Sequence, residues 1–286
     1  MEIGRLPLIF DTDIGSDIDD AYALAFILSC RELALEAVTI VSGDIDARAR
    51  IAAKMLHRAG REDVPVVSGV PSSKEVNQTP WAEGSEYRPD ERSAAELIVE
   101  MISERPGEIT LVAVGPMSNV AAALQLRPEI AGEVAEIVIM GGAVWTGYRS
   151  QLAPAPESNI RWDVPAAQVM FDSGAPIRMA GLDVTAAVQF DRALQERLAA
   201  SGLPLPRAMA ELLEVWPKRT PTLHDPLAVA MVIEPEICDY ASVCVRVSDQ
   251  GITEICDGEP NTLVALRPRV DRFFELFMAR MTAGAA

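Results

Sequence analysis

Aspartates fill five of the ten positions 11–20 (DTDIGSDIDD), directly after the apolar run LPLIF at 6–10. Two unit charges 4 Å apart repel by about 1 kcal/mol in bulk water and by about 4 at an effective dielectric of 20. Carboxylates this dense must protonate, splay into solvent, or hold a cation between them. A hard divalent ion with oxygen ligands suits the third outcome. Other polar signatures stand far along the chain: Gly115-Pro116-Met117-Ser118-Asn119, Met140-Gly141-Gly142, Glu157-Ser158-Asn159 and His224-Asp225-Pro226. Taken singly, Ser118, Asn119 or Asp225 reads as a helix N-cap and His224 as a surface histidine. Taken together, Asp225 could complete a cation site begun by the aspartate-rich loop. His224 would then lie beside the ion as an acid or polarising group, a role its titration range suits.

Those residues need a scaffold that brings them to one place. Apolar, β-branched runs at 6–10, 35–41, 64–68, 109–114, 136–140 and 176–180 alternate with helical patterns near 18–30, 46–60, 91–104, 117–126 and 164–173. The alternation predicts an α/β fold, with an open, mostly parallel sheet flanked by helices. No linker divides the chain, so one domain over 1–286 is expected. Period-two alternation at 240–248, a Gly251 turn and the run 252–255 predict an antiparallel hairpin appended to the sheet. A last helix near 270–281 carries Phe273, Phe274 and Phe277 at helical spacing, as core anchors. In such a sheet ligands gather outside the carboxyl ends of the strands, and the aspartate cluster follows the first strand. Segments 69–90 and 143–162, rich in Pro, Gly, Ser and aromatics, are long enough to act as lids.

A net charge of −17 repels polyanions, which argues against nucleic-acid polymers and anionic membranes as partners. No apolar stretch reaches 18 residues, so no membrane span is expected, and the N-terminus lacks a secretory pattern. Cys30, Cys238, Cys244 and Cys256 have no CxxC spacing. Cys30 and Cys244 sit in apolar contexts, which predicts reduced core thiols in a cytoplasmic protein.

Read in order, Asp11-Thr12-Asp13-x-Gly15, Asp19-Asp20-Ala21-x-Ala23-Leu24, Gly115-Pro116-x-Ser118-Asn119, Met140-Gly141-Gly142, Glu157-x-Asn159 and His224-Asp225-Pro226 resemble the nucleoside hydrolase family, best known from inosine–uridine-preferring enzymes. The resemblance implies a single-domain, Rossmann-like fold that binds one calcium ion and hydrolyses the N-glycosidic bond of ribonucleosides. It implies that Asp13 ligates calcium and acts as general base toward a calcium-held water. Asp20, Asp225 and the Val114 backbone carbonyl would complete the ligand set. Asp19, Glu157 and Asn159 would bind ribose hydroxyls, Met140 would line the sugar pocket, and His224 would protonate the leaving base. A homodimer or homotetramer is also implied.

The chain departs from the family pattern in several places. Asp17 is an extra carboxylate in the opening loop; Asp19 and Asp20 are preferred over it because Ala21-x-Ala23-Leu24 follows them. Asp44 stands where many members have asparagine. Trp81-Ala82-Glu83-Gly84 stands where a loop histidine is usual, and Gln151 occupies the place of an asparagine for the 5′-hydroxyl. Trp81 and Trp216 are the tryptophans best placed to stack on a base, although packing is the simpler reading for any one of them. Three rival readings compete with this one. A haloacid-dehalogenase-like magnesium phosphohydrolase would need Gly-Thr or Gly-Val after Asp13, where Ile14-Gly15 stands. An EF-hand would need glycine where Ser16 stands. A non-catalytic, calcium-dependent nucleoside- or ribose-binding paralogue is motivated by Asp44 and the missing loop histidine.

Overall fold

The computed structural model describes residues 4–148, 155–216 and 220–283. Its centre is an eight-stranded sheet in the order β3-β2-β1-β4-β5-β6-β10-β7. The strands are β1 (Leu6–Thr12), β2 (Leu33–Ile40), β3 (Val66–Ser68), β4 (Thr110–Ala113), β5 (Glu136–Met140), β6 (Ile177–Ala180), β7 (Asp239–Val243) and β10 (Thr262–Leu266). Neighbours run parallel except β10 with β7. The chain therefore starts in the middle of its sheet, and its direction of travel reverses between β1 and β4.

Burial on both faces explains the near-continuous apolar runs of the central strands. Leu8 and Phe10 of β1 point into one core, with helices α1 (Asp19–Ser29), α2 (Ile45–Ala59), α9 (Pro204–Val215), α10 (His224–Ile233) and α11 (Val270–Thr282). Ile9 points the other way, into a core with α3 (Ala94–Glu104), α4 (Ser118–Leu126) and α6 (Val164–Phe171). Each such side chain, fully buried, contributes about 1.5–3 kcal/mol. The expected aromatic anchors are in place. Phe273 and Phe277 of α11 are buried, Phe274 packs at their edge, and the Phe277 ring lies 5.1 Å from that of Phe26.

Two expectations change in detail. The hairpin forms, but as its own two-stranded sheet of β8 (Val245–Val247) and β9 (Thr253–Ile255). Residues 239–243, which continue its alternation, instead join the main sheet beside β10, a strand not predicted. The cysteine reading is corrected for Cys244, which is disulfide-bonded to Cys256 across the end of this hairpin. The register places the two facing each other, since Cys256 N–H donates to Cys244 O at 2.9 Å. Cys30 and Cys238 are buried free thiols.

Candidate active site

β1 and β4 end side by side where the strand order reverses, the position at which open α/β sheets bind ligands. Close approach there requires glycine. A Cβ on Gly115 would lie 2.6 Å from Val41 Cγ1 and 3.1 Å from Asp13 N. Above this edge a pocket of about 290 Å3 is lined by most of the predicted residues: Asp13, Asp17, Asp19, Asp20, Val114, Met140, Glu157, Asn159, Trp216, His224 and Asp225. A larger groove of about 840 Å3, between α2 and residues 85–88, contains none of them.

Two helix starts aim carboxylates into the pocket. Asp19 and Asp20 occupy the first turn of α1; His224 and Asp225 occupy that of α10. The positive end of each helix dipole favours negative charge there. α10 is apolar all round because it is buried all round. Its packing on α1 brings Asp225 N–H to 3.5 Å from Asp19 Oδ2. As a result Asp19, Asp20 and Asp225, all buried, offer oxygens that lie within 4.8 Å of one another. Their electrostatics are unfavourable as ions. Burial, then the charges of Asp17 and Asp20, pushes Asp19 well above the usual carboxylate range. Burial, then the charges of Asp19, Asp20, Asp13 and Asp17, does so for Asp225. Burial and the charge of Asp13 raise Asp20 to about 7, against the opposing hydrogen bond from Thr12 Oγ1 at 2.5 Å. An all-oxygen, anionic set with unbalanced buried charge fits a hard divalent cation.

On the opposite wall Glu157 caps α5 (Ser158–Trp162), accepting from the N–H groups of Gly142, Asn159 and Ile160 at 3.0–3.1 Å. Burial nonetheless raises its pKa. Asn159 Nδ2 donates to Val114 O at 2.6 Å and to Met140 O at 3.1 Å. A carbonyl has two lone pairs, so Val114 O retains one for another ligand. His224 is held from both sides: Nδ1 lies 2.8 Å from Thr185 Oγ1, and Nε2 lies 3.1 Å from Tyr148 Oη. Beneath the pocket, Asp11 Oδ1 accepts from Thr39 Oγ1 at 2.6 Å and Asn119 Nδ2 at 2.7 Å. Asn119 is thus no N-cap but a buried cross-link, which also accepts from Val70 N at 2.9 Å. Ser118 Oγ donates to Asp163 at 2.6 Å.

Several candidates stand elsewhere. Asp44 is exposed and caps α2, accepting from Ala47 N at 3.1 Å, outside the pocket lining. Trp81 is buried away from the pocket; its indole N–H donates to Glu211 Oε2 at 2.9 Å. Gln151 lies outside the described residues. Asp17 lines the pocket but is not one of the three clustered aspartates.

Sequence reasoning missed Lys74, Arg48 and Tyr148. Lys74 Nζ is paired with Asp13 Oδ2, and Arg48 Nη2 lies 3.7 Å from the same oxygen. Arg48 carried a signal, being an arginine in phase with Ile51, Ala52 and Met55 on the buried face of α2. Lys74 carried none beyond lying in a long loop.

The family model described as inosine-uridine preferring nucleoside hydrolase matches residues 8–275. The chain belongs to this family. It is 37% identical over 270 residues to the pyrimidine-specific ribonucleoside hydrolase RihA of Enterobacter sp. (strain 638), a match covering 86% of this chain and 85% of that one. The plant nucleoside hydrolase PpNRh1 superposes with a TM-score of 0.85 at 29% identity, covering 98% of this chain and 100% of that one. A purine-preferring ribonucleoside hydrolase from Gardnerella vaginalis superposes at 0.86 with 26% identity, covering 96% and 98%. The chain is accordingly an N-glycosyl hydrolase of the nucleoside hydrolase family, with the fold that its motifs imply.

Proposed function

We propose that the protein hydrolyses ribonucleosides with the help of a calcium ion, releasing free nucleobase and ribose. The observation that carries this reading is one pocket lined by three clustered aspartates, Asp13, the polar side chains of Glu157 and Asn159, and a histidine. Asp20 and Asp225 would hold the ion, with Asp13 and Val114 O as further ligands and Asp19 at their side. Bound there, calcium would orient water and the ribose hydroxyls.

The remaining chemistry belongs to the chain. Asp13 accepts a proton as the oxygen of water bonds to C1′ of the ribose. Asp19, Glu157 and Asn159 accept or donate hydrogen bonds at the ribose hydroxyls, and Met140 packs under the sugar. As the C1′–N bond breaks, its electron pair leaves with the base while positive charge builds on the ribose. Fixed carboxylates stabilise that charge. His224 donates a proton or hydrogen bond to the departing base, with Thr185 fixing its ring and Tyr148 at its other nitrogen. Trp216 would stack on the base, and Asp17, which also lines the pocket, would be a further contact to the sugar. The binder alternative loses one motive, since Asp44 caps a helix rather than charging the pocket.

Identity of 37% to the pyrimidine-specific RihA supports pyrimidine ribonucleosides as the first substrates to assay. We read the chain as one domain that assembles as a homodimer or homotetramer. No described helix is long and apolar enough to cross a membrane. A cytoplasmic setting is the expectation, although the Cys244–Cys256 pair removes the support that reduced thiols lent it.

The test is base release from a panel of ribonucleosides, with and without a chelator. His224→Ala should slow natural substrates by about 100-fold and spare a riboside with an activated leaving group. Equal losses on both would remove the acid role from His224, and turnover indifferent to chelation would remove the ion.

A further inference from the structure

Lys74 brings a positive charge into a pocket built to hold another one. It follows β3 in a loop that lines the aspartate pocket through Lys74 and Asn77, and its side chain is only 16% exposed. Its ammonium is paired with Asp13 and feels the charge of Asp20, two of the carboxylates assigned above to the divalent ion.

The two cations at Asp13 differ in their freedom to leave. Arg48 is fully buried, with its guanidinium fixed on Ser42 O at 2.7 Å, Ile14 O at 2.8 Å and Ser16 Oγ at 2.8 Å. Lys74 is a compact charge on a flexible stem, and Nζ lies 5.9 Å from the centroid of the Trp162 ring. That ring is 41% exposed and gives the displaced ammonium a second seat. The loop around Lys74 is latched to the aspartate segment: Ser16 Oγ donates to Glu75 O at 2.8 Å, and the N–H groups of Asn77 and Gln78 donate to Gly15 O at 3.0 and 3.1 Å.

We propose that Lys74 is a tethered counter-cation that competes with the divalent ion for Asp13 and Asp20, so that ion binding releases Lys74 and loosens the loop at 72–78. The proposal rests on the divalent-ion reading of the pocket. Without the ion, the ammonium offsets part of the repulsion among buried carboxylates. With it, two cations would face one cluster, and the movable one gives way. Loop opening and ion affinity then become reciprocal, as linkage requires.

Calorimetric titration of calcium into metal-free wild type, Lys74→Met and Lys74→Arg tests the competition. Hydrogen exchange of wild-type residues 72–78, with and without calcium, tests the release and needs no variant to fold. Lys74→Met should bind calcium roughly tenfold more tightly, within the usual range of coupled sites. Lys74→Arg should stay near wild type, and calcium should speed exchange in the loop. Equal or weaker affinity in Lys74→Met overturns the competition while keeping the ion site, and so does exchange that stays constant or slows. Absence of calcium binding in all three proteins removes the ion reading itself, and the competition with it.

Discussion

Two populations of carboxylates share this chain and behave in opposite ways. On the surface, Asp90 sits 2.8 Å from Arg92, Glu234 2.7 Å from Arg272, and Asp239 2.8 Å from Arg269. Hydrogen bonds from Arg92, from Arg272, and from Arg267 together with Arg269 hold the three acids below their ordinary range, Asp90 at about 2. In the pocket, Asp19, Asp20, Asp225 and Glu157 are raised instead, in each case chiefly by burial. The surface acids are ionised because their surroundings favour it. The pocket acids are gathered at a cost that only a cation or a developing positive charge offsets. The formal charge of −17 is therefore no guide to where the chemistry lies; the balance of partners around each carboxylate is.

The contrast makes graded predictions. The largest effect should follow Asp13→Asn, which keeps the shape of the side chain and removes its basicity. Turnover should fall by about 1,000-fold or more while ribose is still bound; a loss below tenfold would deny Asp13 the role of base. Asp225→Asn should weaken calcium binding by about 10- to 100-fold, a loss of the size seen when the support of a metal site is removed. In the metal-free protein the same change should raise the melting temperature, because it relieves repulsion in the cluster. A lowered melting temperature would mean that Asp225 is a structural group rather than an ill-matched one.

Acidity should separate the two populations directly. The folded value of Asp20 is about 7 against an ordinary 3.8, so the folded form binds the proton more tightly. The contribution of Asp20 to the stability of the metal-free protein is greatest below the lower value and is lost as pH rises from about 4 to about 7. Asp90 runs the other way. Its contribution is present above about 3.8 and is lost as pH falls toward about 2. Melting temperatures of the metal-free protein should thus peak near pH 4–5, and calcium should flatten the alkaline limb. A flat profile between pH 4 and 7 would contradict the burden assigned to the pocket. The smallest effect belongs to Arg92→Ala. An exposed pair of this kind is worth less than about 1 kcal/mol after screening, so chemical denaturation should barely shift and turnover should not change.

Much of this was legible in the sequence because it is local. The run LPLIF followed by DTDIGSDIDD announces a buried strand, a charged turn and a helix start, and β1 and α1 form there. The alternation of apolar, β-branched runs with helical patterns announces the mostly parallel sheet. The departures arose where one sequence pattern serves two geometries. The stretch 240–248 keeps period two throughout, yet it divides between two sheets. Trp81 and Trp216 are both candidates for stacking on a base in the sequence, yet one is held by Glu211 and the other lines the pocket.

The sequence by itself determined which side chains stand at each strand-to-helix junction, because backbone periodicity and burial are properties of neighbours along the chain. Only the tertiary structure decided that Asp225 joins Asp19 and Asp20, that Lys74 and Arg48 reach Asp13, and that Cys244 pairs with Cys256. Those meetings depend on strand order, on how α10 lies against α1 and on the path of the loop after β3. No local pattern carries that information, since it is set by packing energies summed over the whole core.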